Sequence, residues 1–371
     1  MPEGKLRDKV EQLLALADVR ISEEHPWDIQ VNDDRFYARV LAGGSMALGE
    51  SYMDGWWHCP KLDEFFCRIL RARLDKVVRS RAWYWNALKA RAFNLQKPSR
   101  AYKVGEHHYD IGNDLFERML DKRMIYSCGY WEDAATLDEA QEAKLDLVCR
   151  KLGLQPGMRV LDIGCGWGGT AKFAAERYRA EVVGITVSRQ QAAFAKELCR
   201  HLHVEIRLQD YRDVEGSFDR VLSLGMFEHV GYKNYECFMR TVRDSLEDGG
   251  LFLLHTIGRN EAGTMGDPWT ERYIFPNSMV PSARQISAAL EGVFVIEDWH
   301  NFGHDYDKTL MQWFRNFQDN WETLKETYDE RFYRLWTYFL LSSAGSFRAR
   351  SNQLWQLVLS PSGVPGGYRR P

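Results

Sequence analysis

The chain is poor in cysteine: its 371 residues hold seven, scattered and odd in number, with no C-x-x-C pair. A disulfide framework and a structural zinc site are therefore not expected, and a reducing compartment is. Long apolar runs are also missing. The longest, Gly250–Ile257 and Leu335–Leu341, are interrupted by His255 and Thr337 and fall short of the ~18 residues that span a bilayer. The start reads Met-Pro-Glu-Gly-Lys and then turns amphipathic, so no signal peptide is expected. Internal repeats and low-complexity tracts are absent. The net charge of −3 lacks the cation excess of a bulk nucleic-acid binder. What is present is globular: 45% hydrophobic and 27% charged residues, over a length that suits two domains.

The charge is unevenly spread. Phe66–Lys103 holds eleven Lys/Arg and one acid, Asp75, together with Trp83, Tyr84, Trp85 and Phe93. Cations beside Trp and Tyr suit an anionic membrane surface, and Arg68–Phe93 is expected to be a docking segment. A solvated basic helix with a packed aromatic side is the plainer alternative.

Apolar spacing at Leu6, Val10, Leu13, Leu14 and Ala17 predicts a helix near the start. Ile29–Val40 reads as short strands punctuated by Gly43-Gly44, and Leu62–Phe93 as one or two long basic helices. Pro98 and its polar neighbours suggest a linker, giving domains at 1–92 and 105–371 joined by 93–104. Asn113-Asp114 is placed as the cap of a helix Leu115–Leu120. Thr136 and Glu139 form a capping-box pattern opening a helix to Leu152. Strands are then expected at Arg159–Ile163, Glu181–Thr186, Val204–Gln209, Phe218–Ser223 and Leu251–Thr256. Helices Gly169–Tyr178, Ser188–Leu202 and Tyr232–Ser245 alternate with them. This grammar predicts a doubly wound α/β sheet behind a small, mainly helical N-terminal domain. Past Pro281 a strongly aromatic run (Trp313, Phe317, Trp336 and Phe339 among others) reads as helical to Ser346. Leu354–Leu359 is expected to close the sheet as an antiparallel edge strand.

The run V-L-D-I-G-C-G-W-G-G, Val160 to Gly169, sits between the first strand and its helix. Gly164 and Gly166 let backbone N–H groups approach a ligand. Asp162 just before the turn repels a pyrophosphate and suits a sulfonium and amino-acid head group. That favours S-adenosylmethionine over a nicotinamide cofactor, with a ligand-free tight turn as the plainer alternative. Gln209, Asp210 and Tyr211 after the third strand suit adenine. Thr186, Ser188 and Gln191 follow the second strand, where no ribose-binding acid is present; Ser188 is also an ordinary cap. Ligands in open α/β sheets bind beyond the carboxyl ends of the strands. Glu228 and His255 end the fourth and fifth strands there, and are expected to face the same cleft as the cofactor. Cys128 lies in the polar-aromatic loop Tyr126–Tyr130 and by default reads as a buried hydrophobe. No metal site is expected.

Several of these segments together resemble the cyclopropane-fatty-acyl-phospholipid synthase family. They are H-Y-D-I-G-N (His108–Asn113), Y-S-C (Tyr126–Cys128), the Val160–Gly169 run, G-M-F-E-H (Gly225–His229) and L-L-H-T (Leu253–Thr256). Also included are W-H-N-F-G-H-D-Y (Trp299–Tyr306), Gly345–Trp355 and, near the start, Ala47–Trp57. The mycolic-acid cyclopropane synthases share the catalytic motifs but lack this N-terminal extension. The resemblance implies a Rossmann-like class I S-adenosylmethionine-dependent methyltransferase fold. It implies methylene transfer from S-adenosylmethionine to the cis double bond of a phospholipid acyl chain, through a carbocation that bicarbonate deprotonates. It places bicarbonate on Cys128, Glu228, His255, the backbone of Ile257, and Tyr306. Cofactor contacts fall on Tyr126, Ser127, Gly164, Gly166, Thr186, Gln191, Asp210 and Tyr211. Two adjacent anions would repel, so either the bicarbonate O–H donates to Glu228 or Glu228 shares a proton. A cytoplasmic homodimer visiting the inner membrane leaflet is implied as well. The competing expectations are an S-adenosylmethionine-dependent lipid C-methyltransferase that stops at methylation, and a non-catalytic lipid-binding protein.

Overall fold

The parity of apolar residues along the strands decides how the main sheet is covered. The computed structural model describes residues 3–77 and 112–371, which fall into two compact units. The second unit comprises 94–263, 277–305 and 353–371. It contains a seven-stranded sheet: β1 (Arg159–Ile163), β2 (Glu181–Thr186), β3 (Val204–Leu208), β4 (Phe218–Leu224), β5 (Leu246–Arg259), β6 (Val295–Asn301) and β7 (Asn352–Ser360). The order is β3-β2-β1-β4-β5-β7-β6. The pairs among β3, β2, β1, β4 and β5 are parallel, and β6 is antiparallel to β7.

Successive strand residues face opposite sides. Leu161, Ile163, Val221, Phe252, Leu254, Leu357 and Leu359 meet helices Tyr235–Asp244 and Ala283–Leu290. Val160, Leu222, Leu251, Leu253 and Val358 meet helices Leu137–Lys151 and Gly169–Tyr178. Asp162, His255 and Gln356 share the parity of that second row, so their side chains belong on the face covered by helix Leu137–Lys151. This one fact of register positions the site.

The helix Leu137–Lys151 opens on the expected capping box, with Thr136 and Glu139 each satisfying the other's backbone N–H. Ser188 caps helix Arg189–Cys199 by accepting from the Gln191 N–H. Asn113-Asp114 does not cap: the helix is Asn113–Met119, Gly112 stands at its cap with φ 108°, and Asn113 Oδ1 instead accepts from Trp167 Nε1 at 3.0 Å. The sheet edge also differs from expectation. Leu354–Leu359 lies inside β7, buried between β5 and β6, and the edge strand is Val295–Asn301, where a helical run was expected. Edge position explains the misreading. Val295 and Ile296 are exposed, and Glu297 and Asp298 follow them, so the segment lacks the apolar signature of an inner strand.

The first unit groups 1–93 with 264–276 and 306–352. Thus two later segments, including the aromatic helix Glu330–Arg348, pack with the N-terminal residues, a grouping the boundaries 1–92 and 105–371 did not contain. Aromatic packing drives it. The Trp57 ring meets Tyr52 and Phe65, and Tyr338 meets Phe66 and Trp269. A Cβ on Gly49 would sit 2.3 Å from the Trp269 ring, so the glycine makes that approach possible. Arg348 bridges Asp63 and Asp307. The helix expected near the start is present at Glu3–Ala15. The strands expected over Ile29–Val40 reduce to Gln30–Val31, paired with Trp57–His58; from Arg35 the chain is helical to Met53, kinked at Gly44 with φ 60°. Leu62–Arg71 and Leu74–Val77 are separate helices, broken at Arg73, a non-glycine residue with φ 57°. The rest of the basic aromatic segment, the expected linker 93–104 and His108–Ile111 lie outside the described residues.

Candidate functional site: a buried polar cluster at the ends of the parallel strands

The loop Tyr126–Tyr130 is strapped to helix Leu137–Lys151. Gln141 Nε2 donates to the Ser127 carbonyl at 2.8 Å, Lys144 Nζ to Ser127 Oγ at 3.1 Å, and the Tyr130 N–H to the Ala140 carbonyl at 2.9 Å. A Cβ on Gly129 would lie 2.9 Å from that of Ala140, so the loop lies flush on the helix. This places Ser127 and Cys128 beside Lys144. The Cys128 thiol is fully buried and donates to the Gly129 carbonyl at 3.1 Å. The Tyr126 ring packs edge-on against Phe116, which also packs on Trp167.

Asp162 ends β1 on the same face, only 2% exposed. Burial pushes its pKa up to about 7, and the Lys144 ammonium only partly offsets this. Burial in turn pushes Lys144 down to about 8, opposed by Asp121, Cys128 and Asp162. Asp162 Oδ2 has no hydrogen-bond partner among the described residues. The glycine turn follows. Gly164, Gly166 and Gly168 all have positive φ, and a Cβ on Gly166 would meet none of the described residues within 4 Å. On Gly169 a Cβ would lie 2.1 Å from the Arg123 carbonyl oxygen, so the helix start fits against that loop only without a side chain.

At the end of β2, Thr186 Oγ1 and Gln191 Oε1 are 3.0 Å apart, and Thr186 Oγ1 accepts from the Ser188 N–H. After β3, Asp210 caps the short turn Tyr211–Asp213 and pairs with Arg212, while Gln209 Nε2 donates to the Asp213 carbonyl. Asp210 and Gln209 are thus already engaged in local bonds.

Glu228 follows β4. Its Oε1 accepts from the Ile257 N–H of β5 at 2.6 Å, two residues beyond His255, and its Oε2 has no partner among the described residues. Burial pushes the Glu228 pKa up to about 7, against the bonds from Ile257 and Thr256 that favour the carboxylate. His255 sits in register with Leu224, and burial, followed by the charges of Lys144 and Lys151, holds its pKa well below the ordinary 6.5. The imidazole is neutral. Its Nδ1 lies 3.2 Å from Gln356 Nε2, and its Nε2 has no partner among the described residues. Tyr306 belongs to the first unit, where it stacks on Phe347 and meets the Trp313 edge.

Buried polar atoms are nearly always hydrogen-bonded. Among the described residues Gln141 Oε1, Asp162 Oδ2, Glu228 Oε2 and His255 Nε2 are not; Gln141 is on the helix, Asp162 on β1, His255 on β5 where its pairing with β4 ends, and Glu228 just after β4. Such a cluster fits a polar ligand. The Asp162 carboxyl suits a cationic group, His255 and a Glu228 whose pKa burial raises suit a small anion, and the glycine turn leaves room for a backbone approach. Sequence reasoning missed the supporting polar residues Gln141, Lys144, Lys151 and Gln356. A signal existed: Leu137, Gln141, Lys144, Val148 and Lys151 form a single core-facing helical stripe in which three members are polar.

The strand order and the glycine turn preceded by a buried acid define a class I S-adenosylmethionine-dependent methyltransferase fold. Residues 96–357 match the family model described as mycolic acid cyclopropane synthetase. The cyclopropane-fatty-acyl-phospholipid synthase of Escherichia coli (strain K12) is 52% identical over 361 residues, covering 96% of this chain and 94% of that one. Among solved structures, the cyclopropane synthase MmaA2 from Mycobacterium tuberculosis aligns with a TM-score of 0.67 at 30% identity, over 72% of this chain and 99% of that one. The mycolic acid cyclopropane synthase CmaA1 complexed with SAH and CTAB aligns at 0.65 and 32%, over 70% and 97%. The chain belongs to the cyclopropane-fatty-acyl-phospholipid synthase family.

Proposed function

We propose that this chain transfers a methylene group from S-adenosylmethionine to the cis double bond of an unsaturated phospholipid acyl chain, closing a cyclopropane ring. The observation that supports the proposal is that Asp162 on β1, His255 on β5 and Glu228 just after β4 each carry a buried polar atom with no hydrogen-bond partner among the described residues. Family membership supports the S-adenosylmethionine-dependent lipid chemistry.

Bound S-adenosylmethionine supplies an electrophilic methyl on a sulfonium. Asp162 faces its cationic head group, and Tyr126, Ser127, Gly164 and Gly166 hold it against the turn. Thr186 and Gln191 serve the ribose. Gln209, Asp210 and Tyr211 serve the adenine, with the Asp210 carboxylate steadied by Arg212. An alkene is a weak nucleophile, so the protein's work is to align the chain and exclude water. A carbocation on the acyl chain must then lose a proton from the added methyl. We infer that Cys128, Glu228, His255, the backbone of Ile257 and Tyr306 would hold a bicarbonate, which would supply the base for that proton. His255 donates a hydrogen bond to the anion. The Ile257 N–H holds Glu228 Oε1, which leaves Oε2 for a further partner. A Glu228 that shares a proton near neutral pH avoids anion–anion repulsion.

Because the acyl chains lie in a bilayer, the proposal includes peripheral docking from the cytoplasm on anionic head groups of the inner leaflet, by a homodimer. Among the described residues no helix is long and apolar enough to cross a membrane. Within the docking segment Arg68 is already bound to Glu64 and Asp18 and lies over the Trp27 ring, so its charge is engaged within the first unit. The test is incubation with unsaturated phospholipid vesicles and S-adenosylmethionine, followed by lipid mass spectrometry. The expected product gains CH2 and loses its double bond. A branched chain or a retained alkene identifies simple methylation, and failure to bind S-adenosylmethionine identifies a non-catalytic lipid binder.

A further inference from the structure

Gln356 is a fully buried carboxamide in the middle of β7, on the face that carries Val358 in the sheet's core. A polar residue in that apolar row needs both ends of its amide satisfied. They are: Gln356 Oε1 accepts from Lys151 Nζ at 2.9 Å, and Gln356 Nε2 lies 3.2 Å from His255 Nδ1. Lys151 is held in turn by Asp298 at 3.6 Å and His300 Nδ1 at 3.1 Å, both on β6, and its side chain is fully buried.

Donor and acceptor chemistry fixes the rest. An ammonium only donates, so the amide oxygen must face Lys151. The amide NH2 then faces His255, and it also only donates. Nδ1 is therefore the acceptor and carries no proton, which puts the proton of the neutral imidazole on Nε2. Nε2 is the buried ring atom that has no partner among the described residues. The charged groups facing His255 are Lys144 and Lys151, both on helix Leu137–Lys151, and both disfavour an imidazolium. Glu228, at the end of the neighbouring β4, is engaged with the Ile257 N–H.

We propose that Gln356, itself oriented by Lys151, is a positioning residue that locks His255 in the Nε2–H tautomer, so that a small anion in the site meets a donor and not a lone pair. The identity of that anion as the base for ring closure rests on the proposed function; the tautomer lock does not. A glutamine does this where a carboxylate would not. A carboxylate at 356 would accept from Nδ1–H and turn a bare Nε2 lone pair toward the anion.

The test pairs kinetics with a direct reading of the proton. In Q356E the expected result is a kcat at least about 10²-fold lower, the scale of one misplaced acid–base group, with KM for S-adenosylmethionine little changed. Residual activity is confined to the acid side and falls as pH rises through the imidazolium pKa, because only a doubly protonated ring then presents an Nε2–H. The wild type shows no such limb. Nitrogen-15 spectra of the full-length histidine-labelled protein, with His255 assigned by its loss in H255A, are expected to show Nε2 protonated and Nδ1 bare. In Q356M, which leaves Nδ1 unpartnered, a mixture of tautomers is expected. An Nδ1-protonated His255 in the wild type overturns the proposal, as does a Q356E enzyme with the wild-type pH profile and kcat. If Q356E does not fold, the wild-type and Q356M spectra decide. A wild type that makes no cyclopropane lipid refutes the function and leaves the spectra to judge the tautomer.

Discussion

Replacing Asp162 with asparagine should stabilise the ligand-free protein and weaken its hold on S-adenosylmethionine at the same time. The carboxyl is fully buried, and its pKa rises from 3.8 to about 7. Between those values the folded chain keeps a proton that the unfolded chain has released, so the wild type loses stability as pH rises through this window. Above about pH 7 the full penalty applies, about 4 kcal/mol for a shift of that size. An asparagine escapes it, but it also deprives Lys144 of a counter-charge, which leaves a net gain of about 1–3 kcal/mol. At about 2–4 °C per kcal/mol for a domain of this size, the apo Tm should rise at pH 8 and the gain should shrink toward pH 4. Binding should move the other way. Loss of a charge-assisted contact worth about 1.5–3 kcal/mol weakens affinity roughly 10- to 100-fold. Differential scanning fluorimetry across pH, beside isothermal titration with S-adenosylmethionine, reads both. A D162N protein that binds the cofactor as tightly as the wild type would refute the head-group role. One whose Tm is unchanged at pH 8 would refute the buried-charge argument.

Glu228→Gln and His255→Ala should keep S-adenosylmethionine affinity within a few-fold and lose about 10²–10⁴ in turnover; titration beside a product assay checks this, and full activity in both removes the base site. Gly169→Ala forces a Cβ to 2.1 Å from the Arg123 carbonyl, and urea unfolding should register a loss of about 1–3 kcal/mol. Charge reversal at Arg71, Arg79 and Arg81 should reduce sedimentation with anionic vesicles, most clearly at low salt; unchanged binding moves the docking surface elsewhere.

Much of the sheet was legible because buried parallel strands announce themselves. Arg159–Ile163 and Glu181–Thr186 match expectation residue for residue, since each is a short apolar run bounded by a turn. The edge strand Val295–Asn301 carried no such run, and Leu246–Arg259 extends through Gly249 and Gly250, which sequence rules read as a stop. At Asn113 a capping residue type was present, but its side chain is taken by Trp167. The site was partly legible. Asp162 and His255 stand late in the strands expected at Arg159–Ile163 and Leu251–Thr256, Glu228 follows another, and open α/β sheets place ligands there. Lys144 and Gln356 were not, because a cation on a helix and a glutamine in a strand read as solvent-facing until register turns them inward. The grouping of 264–276 and 306–352 with the N-terminal residues is a long-range packing choice made by Tyr338 and Trp269, and local spacing carries no trace of it.

The fate of the donated methyl's hydrogens tests the central claim most directly. With S-adenosylmethionine deuterated at its transferable methyl, ring closure by transfer and deprotonation predicts a product that keeps two of the three deuteriums, in a ring CH2 position, on a chain that has lost its double bond. A product that keeps all three would be a methylated lipid, and it would contradict the assignment of Glu228 and His255 to a proton-removing site.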